Sequence, residues 1–183
     1  MRYLLLLLGL SIFLFNCDNR RDPKLKFRVN PNTSSHYFAA YAVNYIPVDM
    51  VDIKTDTIIE RDFKISIRNY TFESDAISFR SNQKLSTRRY FHRRFGAEIA
   101  VLYKNELFLD EKLSFSQFME QPHDPFWIDA TFEHTWVNQE KSSAEMLTIN
   151  VSLINPAEDT YRLYELRLKS DGQKEIELIE KSA

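Results

Sequence analysis

Apolar and polar residues alternate with period two along most of the chain beyond residue 60, and this pattern restricts the possible fold more than any other feature. Successive side chains of a strand point to opposite faces, so an alternating run builds a sheet with one buried and one solvated side. Phe63, Ile65 and Ile67 point one way, and Lys64, Ser66 and Arg68 the other. Ile99, Val101 and Tyr103 stand against Glu98, Ala100 and Leu102, and a two-residue turn at Asn105-Glu106 leads into Leu107 and Leu109. A longer strand sets Phe126, Ile128, Ala130, Phe132, His134 and Trp136 against Asp129, Thr131, Glu133 and Thr135. Its partner, after a turn over Gln139–Ser143, sets Leu147, Ile149, Val151 and Leu153 against a polar face of Thr148, Asn150 and Ser152. Asn155–Asp159 is a turn by composition. Tyr161–Lys169 and Lys174–Glu180 then pair across Ser170-Asp171-Gly172-Gln173, where Asp-Gly is a strong tight-turn signal.

One-sided alternation belongs to antiparallel sheets. The expected fold is therefore all-β and mainly antiparallel: a β-sandwich or partly open barrel built from meanders and hairpins, with at most one or two short helices. Phe115–Trp127 carries Pro122 and Pro125 and reads as a short helical turn followed by a loop. Ser35–Ile46 stays open. Its Tyr37, Tyr41 and Tyr45 are spaced for a helix, yet as a strand they share one face with Val43.

The beginning of the chain has a different character. Tyr3–Phe15 (YLLLLLGLSIFLF) is a 13-residue uncharged run behind Arg2. It is too short to cross a hydrocarbon core of ~30 Å as a helix, and it matches the roughly 7–15-residue apolar region of an export signal. It ends at Cys17, the one cysteine of the chain. Leu14-Phe15-Asn16-Cys17 resembles a bacterial lipoprotein signal in its Leu14 and Cys17. Phe15 is bulkier than usual, and Asn16 stands where Gly, Ala or Ser is usual. The resemblance implies cleavage before Cys17 and acylation of it, and more than one acyl chain is what stable membrane anchoring requires. The expected organisation is a signal peptide over 1–16, a polar tether over 17–26 and a single β-rich globular domain over 27–183. The expected place is a bacterial cell envelope, lipid-anchored at the outer membrane or a periplasmic face, with the leaflet open.

Composition excludes several function classes. A formal charge of −2 argues against nucleic acid as a partner. With Gly9, Gly96 and Gly172 the only glycines, no glycine-rich phosphate loop can form. A lone cysteine, acylated, allows no disulfide and no thiolate zinc site. No metal or cofactor is expected.

Four histidines remain: His36, His92, His123 and His134, none in an H-E-x-x-H pattern. The alternation puts His134 on the apolar face between Phe132 and Trp136, as a core histidine with one hydrogen bond. His123-Asp124-Pro125 would orient an imidazole in a loop, but no nucleophile motif accompanies it. Asp129 and Glu133, four apart on one strand face, would lie roughly 13 Å apart, wider than a glycosidase carboxylate pair. The Thr148, Asn150, Ser152 face reads as an ordinary solvated one.

The most unusual run is Thr87-Arg88-Arg89-Tyr90-Phe91-His92-Arg93-Arg94-Phe95. Arg88, Arg89, Tyr90, Arg93 and Arg94 are the candidate binding residues, because guanidinium groups offer paired donors and stack on rings. The alternative is a strand whose aromatics enter the core while arginine stems cover apolar surface. Tyr90–Phe118 together with Tyr164–Glu177 resembles small Bacteroidetes lipoproteins grouped as a domain of unknown function, a likeness that implies no activity and lends no functional residues. The function expected is a non-enzymatic, membrane-anchored binding module for an envelope protein or an acidic glycan. A small periplasmic or surface hydrolase acting on carbohydrate is the alternative.

Overall fold

The computed structural model describes residues 44–80 and 89–182. Cys17, Arg88, the tether and Ser35–Val43 lie outside them. The described chain is all-β, in two mostly antiparallel sheets, one of them curled into a half-barrel. The strands are β1 (Asn44–Ile46), β2 (Asp52–Ile59), β3 (Phe63–Arg80), β4 (Arg89–Tyr103), β5 (Glu106–Lys112), β6 (Thr131–Val137), β7 (Met146–Asn155), β8 (Thr160–Lys169) and β9 (Lys174–Lys181). Two short 3-10 turns, Phe115–Gln117 and Pro125–Ile128, separate the two sheets in sequence. The first sheet runs β1-β4-β3-β2, with β5 also on β4; the second is the meander β6-β7-β8-β9. One pairing, β1 on β4, is parallel.

The core follows from the alternation. Phe63, Ile65, Ile67, Ile99 and Val101 are buried from the first sheet, and Leu147, Ile149, Val151, Leu153, Tyr164 and Leu166 from the second. Each such side chain contributes about 1.5–3 kcal/mol by leaving water. The aromatic segment between the sheets caps this core: Phe115 stacks on Phe132 at 4.9 Å, and Phe118 meets Tyr164 edge-on at 5.2 Å. The Asp171-Gly172 turn forms as expected, with Gly172 at φ +92°, where a β-branched residue fits poorly.

Four expectations are corrected. The β4–β5 turn is Lys104-Asn105, both at positive φ, one residue earlier than the sequence implied. The strand expected from Phe126 begins at Thr131, because Pro125 opens a 3-10 turn capped by Asp124. His134 is exposed rather than in the core, stacked on Trp136 at 5.4 Å. A bulge between Phe132 and His134 inserts Glu133 and shifts the phase of the remaining strand, which buries Thr135 instead. Finally, Thr148, Asn150 and Ser152 are buried. The segment after β6 folds back beside them, with Ser142 Oγ accepting from Thr148 N and Thr148 Oγ1 donating to Lys141 O.

The two sheets meet along a seam that carries no strand ladder. Asn69, buried on β3, donates from Nδ2 to Thr135 O at 3.0 Å and accepts Thr135 N on Oδ1 at 2.9 Å. One side-chain amide thus serves the open edge of β6 as a neighbouring strand would. Farther along, Phe95 N donates to Thr131 Oγ1 at 2.7 Å, and Arg94 donates to Ala130 O.

Candidate functional site

The seam fixes where the chemistry can gather. In β3 the register jumps from Thr71 opposite Phe95 to Ala76 opposite Arg93, so residues of β3 bulge out and the far half of the β3–β4 pair is re-aimed. Asp75 in this bulge holds Arg94 Nε at 3.3 Å, while the same guanidinium reaches Ala130 O. The re-aimed pair then carries Ile77 opposite His92 and Phe79 opposite Tyr90. The outer ends of β3 and β4 overhang the end of the second sheet, where β7 turns into β8.

Between them lies an open cleft of about 740 Å³. Phe79, Arg80 and His92 line it from the first sheet, and Glu133, Ile154–Ala157 and Asp159–Tyr161 from the second. Its size falls within the roughly 300–1,000 Å³ of small-molecule sites. A smaller hollow of about 270 Å³ adjoins it, sharing His92, Glu133 and Ile154 and adding Phe95 and His134.

Each wall is held by a local device. Asn155 is almost fully buried at the end of β7. Its Oδ1 accepts from Ala157 N and Glu158 N while Nδ2 donates to Phe126 O, which shapes the turn that Asn155–Asp159 composition foretold. Asp159 takes φ +58° there, a conformation that Asp and Asn tolerate. Glu133 sits in the β6 bulge, and Ser152 Oγ donates to its Oε2 at 2.6 Å, while Oε1 has no partner among the described residues.

His92 is half-buried, and its Nδ1–H donates to Arg93 O at 2.9 Å. The neutral ring therefore keeps its lone pair on Nε2. Burial pushes the imidazole below its ordinary value of 6.5, against the pull of the Arg93 carbonyl and the Glu133 charge. Its neutral form is the one the fold favours near neutrality.

The arginine run divides. Arg89 is exposed, and Tyr90 stacks on Phe79 at 5.9 Å beside the cleft. Arg93 turns away from it, donating to Pro47 O and Val48 O over the Tyr45 ring at 4.2 Å. Arg94 serves the seam. Arg93 and Arg94 are thus tied to backbone carbonyls of distant segments, and Arg88 lies outside the described residues. His123 is exposed, and Asp124 beside it turns to Phe126 N and Arg162. Asp129 lies outside β6, so it shares no strand face with Glu133. Among the described residues no three His, Cys, Asp or Glu side chains gather to hold a metal ion.

Sequence reasoning passed over Phe79, Arg80, Asp159 and Tyr161, and weighed Glu133 only as half of a carboxylate pair. His92 stood inside the quoted run without a role of its own. No local signal links these residues, since they come from separate strands. The fold and cleft define an all-β protein with an open mixed-polarity site at one end of its sheets. Compared with known family models and with curated proteins, the chain matches none.

The charged groups set a pH dependence. Hydrogen bonds from Arg68 lower Asp52, those from Phe126 N and Arg162 lower Asp124, and Lys169 lowers Glu175. Burial raises Glu165, but Lys141 and Arg167 outweigh it and the net shift is downward. Each folded group, His92 included, holds its proton less tightly than the unfolded chain does. The unfolded state therefore gains protons first, and stability present at higher pH is lost as pH falls. Thermal melts should be flat between about pH 7 and 9 and decline gently below the ordinary histidine value of 6.5. They should fall again above the ordinary tyrosine value of 10.0, because Tyr161, Tyr164, Lys104, Lys112 and Lys169 hold their protons more tightly in the fold. They should fall steeply below the ordinary carboxylate values of 3.8 and 4.5. His92→Asn should remove the first decline, and stability rising between neutral and mildly acid pH would contradict this assignment.

Proposed function

We propose that this chain is a membrane-anchored envelope lipoprotein, held by lipid on Cys17, that presents a β-sandwich as a non-enzymatic binding module. Support for the anchor comes from the uncharged run Tyr3–Phe15 ending at the single cysteine. Support for binding comes from the open cleft between the ends of β3 and β4 and the β7–β8 turn, with exposed Arg89 and the Tyr90–Phe79 stack beside it. The cleft is the observation that carries the reading, because its walls are fixed by hydrogen bonds before any ligand arrives. The resemblance to small Bacteroidetes lipoproteins bears on the anchor alone, since it implies no activity.

Expressed with its native signal, the protein should partition into detergent and yield an N-terminal peptide beginning at lipid-modified Cys17. Cys17→Ser should release it or stall its processing. Native protein found in the aqueous phase, starting at another residue, would remove the lipoprotein reading.

The second reading, a hydrolase acting on carbohydrate, is favoured by His92 and Glu133 lining one cleft. It requires new reducing ends to appear when the purified protein is incubated with polysaccharide, and their loss in Glu133→Gln.

A further inference from the structure

We propose that the cleft at the β3–β4 end takes a neutral, polyhydroxylated ligand with an apolar face, a short saccharide. This rests on the binding-module reading and adds the chemistry of what is bound.

The charge of the walls decides the class. Among the described lining residues Arg80 supplies one cation, with exposed Arg89 beside the cleft, and Glu133 and Asp159 supply two carboxylates. A polyanion would meet two lining carboxylates for one lining guanidinium, and a cation would find carboxylates but also Arg80, so neither sign is matched throughout the cleft. A hydroxyl group both donates and accepts, so vicinal hydroxyls satisfy carboxylate, guanidinium and imidazole together. Glu133 is prepared for this: Ser152 Oγ occupies Oε2 and fixes the carboxylate, while Oε1 remains to accept. On His92, Nδ1–H is committed to Arg93 O, so Nε2 is an acceptor.

The remaining walls are apolar. Phe79, backed by Tyr90, stands on one side, and Pro156, Ala157 and Tyr161 on the other. The Tyr161 hydroxyl is spent on Glu180, which leaves its ring as the useful surface. Aromatic faces with polar groups at their rim suit the C–H face of a sugar ring. The volume of about 740 Å³ admits a short oligomer rather than a single ring alone.

Full-length protein in detergent would be titrated with cellotriose, maltotriose, mannotriose and triacetylchitotriose as neutral probes. Trigalacturonate is the anionic counterpart and chitotriose the cationic one. Saturation-transfer NMR and calorimetry report binding. At least one neutral trisaccharide should bind, with affinity changing less than about twofold between low and high salt, since no net charge is screened. Glu133→Gln and Asp159→Asn should each weaken it about tenfold or more, as expected for losing a charge-assisted hydrogen bond. Both substitutions keep shape, and melts confirm folding.

Binding confined to trigalacturonate, weakened by salt and lost in Arg80→Gln, would overturn the neutral class. Neutral binding that survives both substitutions, or no neutral probe binding to folded wild type, would also overturn the proposal. Failure of the binding-module reading registers separately, as native protein without lipid on Cys17 or as cleavage of the probes.

Discussion

Asn69→Leu is expected to destabilise the protein by about 2–6 kcal/mol, because two buried backbone groups of Thr135 each lose their partner at about 1–3 kcal/mol. Leucine keeps the volume, so the loss isolates hydrogen bonding from packing. Thr135 is 1% exposed, and no water can replace the amide without opening the seam. In a domain of this size the melting temperature should fall by roughly 10 °C. Asn69→Asp is the informative companion. At neutral pH its carboxylate still accepts Thr135 N but faces Thr135 O without a proton to donate. Acidification restores that donor, so this variant should recover relative to wild type as pH falls. Denaturation curves at two pH values check both outcomes. An Asn69→Leu protein as stable as wild type would show that packing alone holds the two sheets together.

Gly96→Val should cost about 1–3 kcal/mol through overpacking. Tyr70 lies across the strand opposite Gly96, and a Cβ there would stand 2.8 Å from Tyr70 Cζ, 2.9 Å from its Oη and 3.0 Å from Phe72 Cζ. The ring is held by Phe72 edge-on at 5.4 Å and by Arg68 at 4.8 Å, so it has little freedom to swing. The backbone at Gly96 is ordinary, which makes the clash the whole effect. Tyr70→Leu in the same chain should therefore recover most of the loss, and a double-mutant cycle measures the coupling. Equal losses with and without the ring would place the cause elsewhere.

Much of the fold was legible because alternation directly reports the two faces of a strand. Phe63, Ile65 and Ile67 entered the core as read, as did Leu147, Ile149, Val151 and Leu153, and Asp171-Gly172 formed the turn its composition specified. The misreadings come from irregularities and long-range contacts that local composition does not report. A bulge such as that at Glu133 adds a residue without altering local composition, so everything after it changes face, and His134 exchanged places with Thr135. A loop that folds back, such as the one carrying Lys141 and Ser142, buries a polar face that looks solvated in isolation. Among the arginines, the run itself was conspicuous, but nothing local separates Arg93 and Arg94, tied to distant carbonyls, from exposed Arg89.

The sequence by itself determined the class: strands from period-two hydropathy, antiparallel pairing from one-sided burial, and tight turns from residues that accept positive φ. These are short-range properties, set within a few residues along the chain. Tertiary structure alone decided the seam and the cleft. Asn69 meets Thr135, and His92 comes to line one cleft with Glu133 and Asp159, only once two sheets have folded and closed on each other, because burial, side-chain partners and concavity belong to surfaces that distant segments make together.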